Sequence, residues 1–321
     1  MRRFLYSHRD LIALTGVLIG VAVVMLLLNP ERFLTPNNLR SMAFQLPEIG
    51  ILTLAMMVTM LHGGINLAVI GTANLTAIIT ALIVHAILPV SGNEWFAIAL
   101  GLGAGFTASL LVGLLNGFLV GYVGVSSILT TLGTMTLVNG ICIVITGGST
   151  ISRLPAPILV IGNGVIFGIP VPLCIFLLGS AALSLILSRT VFGFNLYMLG
   201  TNPTAARYAG IDNSRTLLGV YLLSSFLASI AGVIMMARFN SAKADYGQSY
   251  LLVTILAAVL GGTSASGGYG KVIGVVFAII MLQMLASGLN LLGVDPFFAI
   301  AMWGAILLLV MTLNYFFRRR V

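Results

Sequence analysis

The sequence predicts an all-α polytopic membrane protein, and three observations carry that prediction. Hydrophobic residues make up 59% of the chain and charged residues only 7%, against about 25% charged in ordinary soluble domains. The apolar residues form runs of about 20, the length that a helix needs to cross a bilayer. The basic residues concentrate at the two ends and between these runs, as the positive-inside rule describes.

About ten apolar runs qualify as transmembrane helices, and we treat residues 1–321 as a single transmembrane domain. The runs lie at approximately 11–28, 42–61, 67–88, 96–121, 127–146, 165–187, 217–237, 249–262, 272–292 and 297–316. The first run is long for a signal peptide and has no small-residue cleavage site after it, so we expect a retained span. An even number of spans places both termini on one side, and their basic residues assign that side to the cytoplasm.

The composition also excludes several classes of function. The net charge is +8, but its distribution fits a membrane protein surrounded by lipid, so we expect no nucleic acid partner. The three histidines, two cysteines and seven carboxylates show no spacing typical of a metal site or of acid–base catalysis. We therefore expect no metal, no catalytic residue and no enzymatic activity.

A phosphate loop is also excluded. Gly270 and Lys271 resemble the end of such a loop, but Ala265 and Val272 stand where the motif needs glycine and serine or threonine. The sequence therefore predicts that this chain binds no ATP and no other cofactor.

The longest polar interval, 188–216, contains the signals of a short helix. Asn202 is a good N-cap, Pro203 suits the first helical position, and Gly210 suits a left-handed end. The residues between them are Thr204, Ala205, Ala206, Arg207, Tyr208 and Ala209. A helix of about two turns is far below the roughly 12 residues at which an isolated helix becomes marginally stable, so we expect it to have a docking partner.

The fourth span carries a small residue at every fourth position: Gly101, Gly105, Ser109, Gly113, Gly117 and Gly121. In lipid, small residues at this spacing let helix backbones approach closely. Because four residues overshoot one 3.6-residue turn, the strip winds around the helix. We expect the strip to pack against different neighbours along its length.

Two glycine-rich connections interrupt the apolar pattern. The first, between spans two and three, contains Gly63, Gly64 and Asn66. The second, between spans eight and nine, contains Gly261, Gly262, Thr263, Ser264, Gly267 and Gly268. Such breaks at membrane depth point to a translocation site, and the alternative is a tight hairpin at the surface. Both readings stay open for the first connection, and the short preceding span favours a functional break for the second.

Glu48 is the one ionisable residue that falls clearly inside a predicted span. Intramembrane ionisable residues are functional by default, so Glu48 is a candidate for the translocation pathway or a subunit interface. The alternative is a position near the outer end of its helix. A single carboxylate without an intramembrane partner does not make a proton relay, so we expect the energy for transport to come from another protein.

Several segments together resemble the permease subunits of sugar-importing ABC transporters, the family that includes the ribose permease. The matching segments are 63–67, LTTLG at 129–133, LGTNPTAARYAGI at 199–211, AAVLGGTS at 257–264, GGYG at 267–270 and GLNLLGV at 288–294. The first connection departs from the family pattern, because Asn66, Ala68 and Ile70 stand where that pattern usually has Asp, Ser and Gly.

The resemblance implies a multi-pass subunit of the bacterial cytoplasmic (inner) membrane that carries a monosaccharide such as ribose. Its implied partners are a second permease subunit, identical or homologous, cytoplasmic ABC ATPase subunits that use ATP and Mg, and an extracytoplasmic substrate-binding protein. The alternatives left open are nucleosides, branched-chain amino acids or a sugar-like signal as substrate. A stand-alone secondary carrier is an alternative from another class.

The resemblance also makes 188–216 the cytoplasmic coupling loop. Residues 202–210 match the coupling helix that sits in a groove of the ATPase, where Arg207 would meet an acidic residue unless it is only a solvated charge. Ala205, Ala206 and Ala209 would let the helix pack closely. A bulky charged residue at Ala206 is then expected to uncouple ATP hydrolysis from uptake.

Overall fold

The chain is helical through most of the part that the computed structural model describes, which is residues 2–295, 298, 301–308 and 312, with side chains from residue 14 onward. The helices are α1 (Arg2–Leu28), α2 (Pro36–Met60), α3 (Val69–Ser91), α4 (Glu94–Phe118, continued by a π-helical turn at Leu119–Val123), α5 (Ser127–Thr146), α6 (Ala156–Asn163), α7 (Val171–Arg189), α8 (Val191–Thr201), α9 (Pro203–Tyr208), α10 (Asn213–Phe239), α11 (Tyr250–Leu260) and α12 (Val272–Leu291). The strands are β1 (Ile151–Ser152), β2 (Val165–Ile166), β3 (Ile169–Pro170) and β4 (Ser241–Ala242). The chain is thus a multi-pass helical membrane protein with very little sheet.

Seven helices of the described part are long and apolar enough to cross a membrane, namely α2, α3, α4 with its π-helical turn, α5, α7, α10 and α12. They correspond to the predicted spans two to seven and nine. The predicted first span lies in α1, whose apolar part is the shorter stretch Leu14–Leu28. Most of the predicted tenth span, 297–316, lies outside the described residues.

The predicted eighth span is a half-length helix. The helix α11 has 11 residues, which at 1.5 Å per residue is about 16 Å, roughly half of the ~30 Å hydrocarbon core. Non-helical backbone from Gly261 to Lys271 follows it. The break in the helix predicted for this segment is therefore confirmed, and its role in translocation stays a prediction.

The helices α2 and α10 form the centre of the bundle. Within the apolar window of α2, 78% of the residues are buried inside the protein, against 28% for α5 and α7 at the periphery. A helix that is apolar all round can be buried on all sides, and α2 contacts α7, α10, α11 and α12. Changes at either end of α2 therefore reach most of the bundle.

The small-residue strip of α4 changes partner along the helix, as predicted. At its start, a Cβ added to Gly101 would lie 2.8 Å from Thr80 O of α3. Further along, Ser109 Oγ donates to Ser225 O of α10 at 2.6 Å, and the later glycines Gly113, Gly117 and Gly121 also lie against α10. Close backbone approach on both sides joins α3, α4 and α10 by dispersion.

Two contacts define the two faces of the bundle. Strands β1 and β4 pair in antiparallel fashion, Ile151 opposite Ala242, so the α5–α6 and α10–α11 connections share one face. At the opposite ends of the helices, Gly268 N donates to Leu61 O at 2.8 Å, so the α2–α3 and α11–α12 connections share the other face with the α8–α9 loop. We call these the far face and the loop face.

Candidate functional site

The predicted short helix of the polar loop is present as α9, at Pro203–Tyr208. Asn202 Oδ1 accepts a hydrogen bond from Ala205 N at 3.0 Å, which satisfies one of the free N–H groups of the first turn. At the other end Ile211 N donates to Ala206 O at 3.1 Å, and Gly210 adopts a left-handed φ of +82°. The capping residues read from the sequence therefore delimit the helix.

The helix α9 presents almost all of its surface to the outside. Between residues 202 and 210 only Ala206 is buried, whereas Tyr208 is 90% exposed. A cavity of about 570 Å³ opens beside the helix, lined by Pro203, Thr204, Arg207, Tyr208 and Asn213. This exposed surface is the part of the loop that is available to another protein.

The predicted effect of a charged residue at Ala206 stays a prediction, but the structure changes its physical reason. Ala206 has no exposed surface and faces its own chain, so it does not belong to the surface available to a partner. A bulky charged residue at Ala206 would disturb the packing of α9 on this protein before it affected any docking. The exposed side chains of Thr204, Arg207 and Tyr208 are the better positions at which to test docking.

The helix α8, directly before α9, ends in a close contact with both glycine-rich connections. An added Cβ on Gly200 would clash with Leu61 O and would lie 2.5 Å from Gly268 N. An added Cβ on Gly267 would lie 2.8 Å from both Gly200 O and Gly63 N. We call Gly63, Gly200, Gly267 and Gly268 the glycine junction.

Backbone conformation explains why glycine occupies three of these positions. Gly63, Gly267 and Gly268 have φ values of +87°, +84° and +78°, in the left-handed region that favours glycine. Gly200 is helical and is required only by the close approach. The site residues predicted from the sequence did not include Gly200. Its position at the end of α8, two residues before the Asn202 cap of α9, was the local signal that could have identified it.

The first connection is exposed at Gly63 but buried at Gly64, Asn66 and Ala68, so it is not a tight hairpin that lies wholly at the surface. Asn66 is 1% exposed, and its Nδ2 donates to Ser224 Oγ of α10 at 3.0 Å. Ser224 Oγ in turn donates to Ala55 O of α2 at 2.9 Å, and Thr131 Oγ1 of α5 accepts from Leu67 N at 3.1 Å. These bonds attach the connection to α10 and α5, and Ser224 links it further to α2, so the Asn66 side chain is engaged in holding the connection in place.

His62, at the start of that connection, is an electrically neutral group at pH 7. Burial lowers the pKa of its imidazole to about 4, because the charged form loses hydration. Its ring lies edge-on to the ring of Tyr221, 5.8 Å between centroids, and an added Cβ on Gly64 would meet the imidazole. Gly64 is therefore needed because the His62 ring folds back over the connection.

The second connection is a compact turn that closes on itself. Ser264 N donates to Tyr269 O at 2.8 Å and Gly267 N donates to Ser264 O at 3.0 Å. Gly261 packs against the start of α12, and Thr263 is buried with 2% of its surface exposed. Gly262 has a left-handed φ of +84° and open space around it.

The turn is also bonded to α8. Tyr197 Oη donates to Gly270 O at 2.7 Å, and burial raises the pKa of that phenol to about 12, so the proton needed for the bond is present at neutral pH. The bond and the glycine junction together join α8 to both connections.

Glu48 lies in the middle of α2 and has a charged partner, which the sequence did not indicate. Its side chain is 1% exposed and its Oε1 lies 3.0 Å from Nη1 of Arg238. The predicted seventh span ended at 237, whereas α10 continues to Phe239, so Arg238 belongs to the span. The expectation of no intramembrane ion pair was therefore wrong, as was a position for Glu48 near the helix end.

Comparison with known proteins agrees with this arrangement. The family model described as the permease component of the branched-chain amino acid transport system matches residues 38–313. The ribose import permease protein RbsC of Bacillus subtilis is 34% identical over 92% of this chain and 89% of its own length. The autoinducer 2 import system permease protein LsrD of Yersinia pseudotuberculosis is 32% identical over 92% of this chain and 88% of its own length.

No solved structure matches the chain. The family match spans most of the described helices and includes α9, the glycine junction and the Glu48–Arg238 pair. On this evidence the chain belongs to the permease family of the branched-chain amino acid transport system type, together with the ribose and autoinducer 2 import permeases.

Proposed function

We propose that this chain is the membrane permease subunit of an ATP-driven ABC importer for a monosaccharide, ribose or a related sugar. The relatives named for ribose and autoinducer 2 import support a sugar or sugar-like solute. The chain pairs with a second permease subunit, identical or homologous, in the bacterial inner membrane. Cytoplasmic ATPase subunits use ATP and Mg, and an extracytoplasmic binding protein delivers the sugar.

In this proposal the loop face is cytoplasmic. Arg189, Arg207, Arg215 and Lys271 all lie in connections on that face or at helix ends next to them, which fits the positive-inside rule. The seven long helices together with α1, α11 and the segment from 297 to 316 make ten spans. An even number of spans places both termini in the cytoplasm. Residues 188–216 are the coupling loop.

The observation that carries the proposal is the continuous contact from the exposed α9 to the glycine junction. The helix α9 follows α8 directly, and Gly200 of α8 lies against the backbone of Leu61 and Gly268. Backbone atoms in contact cannot yield as a flexible side chain does, so a displacement of α9 is passed to the connections that end α2 and α11. ATP-driven closure of the ATPase pair would move α9 in this way, and the spans would switch between inward and outward access.

A docking test uses charge reversal on the loop face. Arg207→Glu removes a cation from the exposed surface of α9, and we expect substrate-stimulated ATP hydrolysis and uptake to fall at least about tenfold, since truncating one partner of an interfacial charge pair costs about 2 kcal/mol or more. The matched control is Arg189→Glu, an exposed residue that ends α7 at the start of the same loop but lies outside α9 and outside the cavity beside it. Equal losses in both variants would contradict docking through α9.

The function itself is tested by reconstitution. The chain is purified gently from native membranes, the co-purifying proteins are identified, and proteoliposomes are assayed for uptake of labelled ribose. We expect uptake only with ATPase subunits, ATP and binding protein. Uptake by the chain alone under a proton or sodium gradient would identify a secondary carrier, for which the Glu48–Arg238 pair would be the relevant intramembrane group.

A sugar-like signalling molecule is the second candidate for the substrate. The autoinducer 2 permease is almost as similar to this chain as the ribose permease is. A competition assay in the same proteoliposomes separates the two, because the better substrate suppresses uptake of the other at the lower concentration.

A further inference from the structure

The helix α2 carries a polar stripe in its half nearest the far face. Asn38, Ser41, Gln45 and Glu48 follow one another at spacings of three and four residues, so they share one side of the helix. Asn38 Oδ1 accepts a hydrogen bond from Ser287 Oγ of α12 at 2.8 Å. The stripe therefore runs from the far-face end of α2 towards the buried Glu48, along the boundary with α12.

A cavity of about 180 Å³ opens on this stripe. Gln45 of α2, Ser249 and Tyr250 at the start of α11, Gln283 and Ala286 of α12, and Trp303 contribute to its lining. Ser249 is exposed and precedes α11 on the far face, so the cavity lies towards that face. Its volume is far above the ~15 Å³ that one buried water needs and below the ~300 Å³ at which pockets for drug-sized molecules begin.

Polar groups in this cavity retain unused hydrogen-bonding capacity. Gln283 Nε2 donates to Gln45 Oε1 at 3.2 Å, and Gln45 Nε2 donates to Ser41 Oγ at 2.9 Å. Within the described residues, neither Gln283 Oε1 nor Tyr250 Oη makes a hydrogen bond, and each amide keeps one N–H. Gln283 is only 6% exposed, so solvent outside the cavity does not satisfy it.

This combination of groups matches one chemical class of ligand. Amides offer donors and acceptors side by side, as the vicinal hydroxyls of a sugar require, and the phenol adds a group that does both. The Trp303 ring supplies an apolar surface for the C–H face of a sugar ring. A lipid chain in the same space would leave Gln283 Oε1 without a hydrogen-bond donor, and an unsatisfied buried polar group costs about 1–3 kcal/mol.

We propose that this cavity is a monosaccharide-binding subsite within the permease subunit, which receives a single sugar ring entering from the far face. The inference rests on the proposed function as a sugar permease. Glu48 lies one turn deeper on the stripe and within electrostatic range of Tyr250.

Three variants on α12 test the subsite in the assembled complex, with labelled ribose as probe. Gln283→Leu keeps the bulk and removes the amide, and Ala286→Phe fills the cavity. Each should lower the uptake rate at saturating binding protein at least tenfold. Hydrolysis of ATP stimulated by the loaded binding protein should stay within about twofold of wild type, because that step precedes passage of the sugar.

The matched control is Ser287→Ala, which also removes a hydrogen bond between α2 and α12 but does not line the cavity. We expect uptake within about twofold of wild type. Equal losses in Ser287→Ala and Gln283→Leu would assign the amide to helix packing and overturn the subsite. Normal uptake in Ala286→Phe would overturn it as well.

These experiments distinguish a failure of the subsite from a failure of the proposed function. If the wild-type complex takes up no sugar, the function is wrong and the subsite falls with it. If wild type takes up ribose and Gln283→Leu and Ala286→Phe do so at the same rate, only the subsite is wrong. Loss of complex assembly in Gln283→Leu leaves the decision to Ala286→Phe.

Discussion

Replacing Gly200 by alanine is the sharpest test of the proposed path from the loop 188–216 to the two glycine-rich connections. The new methyl group would meet Leu61 O and would stand 2.5 Å from Gly268 N, and these are backbone atoms that cannot rotate away. Alanine itself is a good residue for a helix, so any effect comes from the lost space. The change therefore separates α8 from the ends of α2 and α11.

The magnitude follows from the contacts that must open. Adding a methyl group to a tightly packed position costs about 1–3 kcal/mol. The added methyl group also pushes apart the backbone around Gly268 and Leu61. This weakens the hydrogen bond from Gly268 N to Leu61 O, and the net contribution of such a bond is typically about 0.5–1.5 kcal/mol. If this strain falls on the closed junction alone, the methyl contribution of about 1–3 kcal/mol by itself shifts the conformational equilibrium by about 5–150-fold.

The assay compares uptake and ATP hydrolysis in the same proteoliposomes. We expect Gly200→Ala to lower the number of sugar molecules moved per ATP at least fivefold, while basal hydrolysis persists in the ATPase subunits. The matched control is Gly179→Ala in α7, which has nothing within 4 Å of the added atom. Wild-type coupling in Gly200→Ala, with a normal Tm, would refute the mechanical role of the junction.

Three further predictions concern the cap, the ion pair and the histidine. Asn202→Ala removes the cap of α9 and should cost about 0.5–2 kcal/mol of local helix stability. The rate of hydrogen exchange of the 203–208 amides should rise, and Asn202→Ser should restore their protection. Unchanged exchange in the alanine variant would argue against the cap. Arg238→Met leaves Glu48 buried without its cation and should lower the free energy of unfolding by about 3–5 kcal/mol. We expect a lower Tm, and we expect the double variant that adds Glu48→Gln to recover it. If Glu48→Gln does not recover stability, the pairing is contradicted. Burial lowers the pKa of His62 to about 4, so the unfolded chain takes up a proton on this residue at a higher pH than the folded protein does. The stabilisation is therefore complete above the ordinary pKa of about 6.5 and is lost as the pH drops towards 4. Tm measured from pH 7 to 4 should fall less steeply in His62→Asn, and parallel profiles would exclude His62 as the source of the pH dependence.

Local signals in the sequence were sufficient to predict those features that depend only on residues close together in the chain. Asn202, Pro203 and Gly210 delimited α9 because capping is decided within a few residues. The strip on α4 predicted close packing and a change of partner, because its four-residue period fixes which side of the helix it occupies. The partners themselves, α3 and then α10, could not be read from that period.

Contacts between distant residues were beyond the sequence. Glu48 and Arg238 are 190 positions apart in the numbering of the chain, and only packing of α2 against α10 brings their charges to 3.0 Å. Ala206 and Arg207 are neighbours in α9, yet only the first is buried, because the orientation of so short a helix is set by the surface beneath it.

The sequence by itself determined the class of protein, most of the spans and the bounds of the short helix α9, because hydropathy and capping act locally. The tertiary structure alone decided that both glycine-rich connections and the end of α8 meet at one junction. Glycine marks a position where space or a left-handed φ is needed, but it does not identify the backbone that fills the space. For Gly200 that backbone is Leu61 and Gly268, and this contact joins the polar loop 188–216 to the ends of α2 and α11.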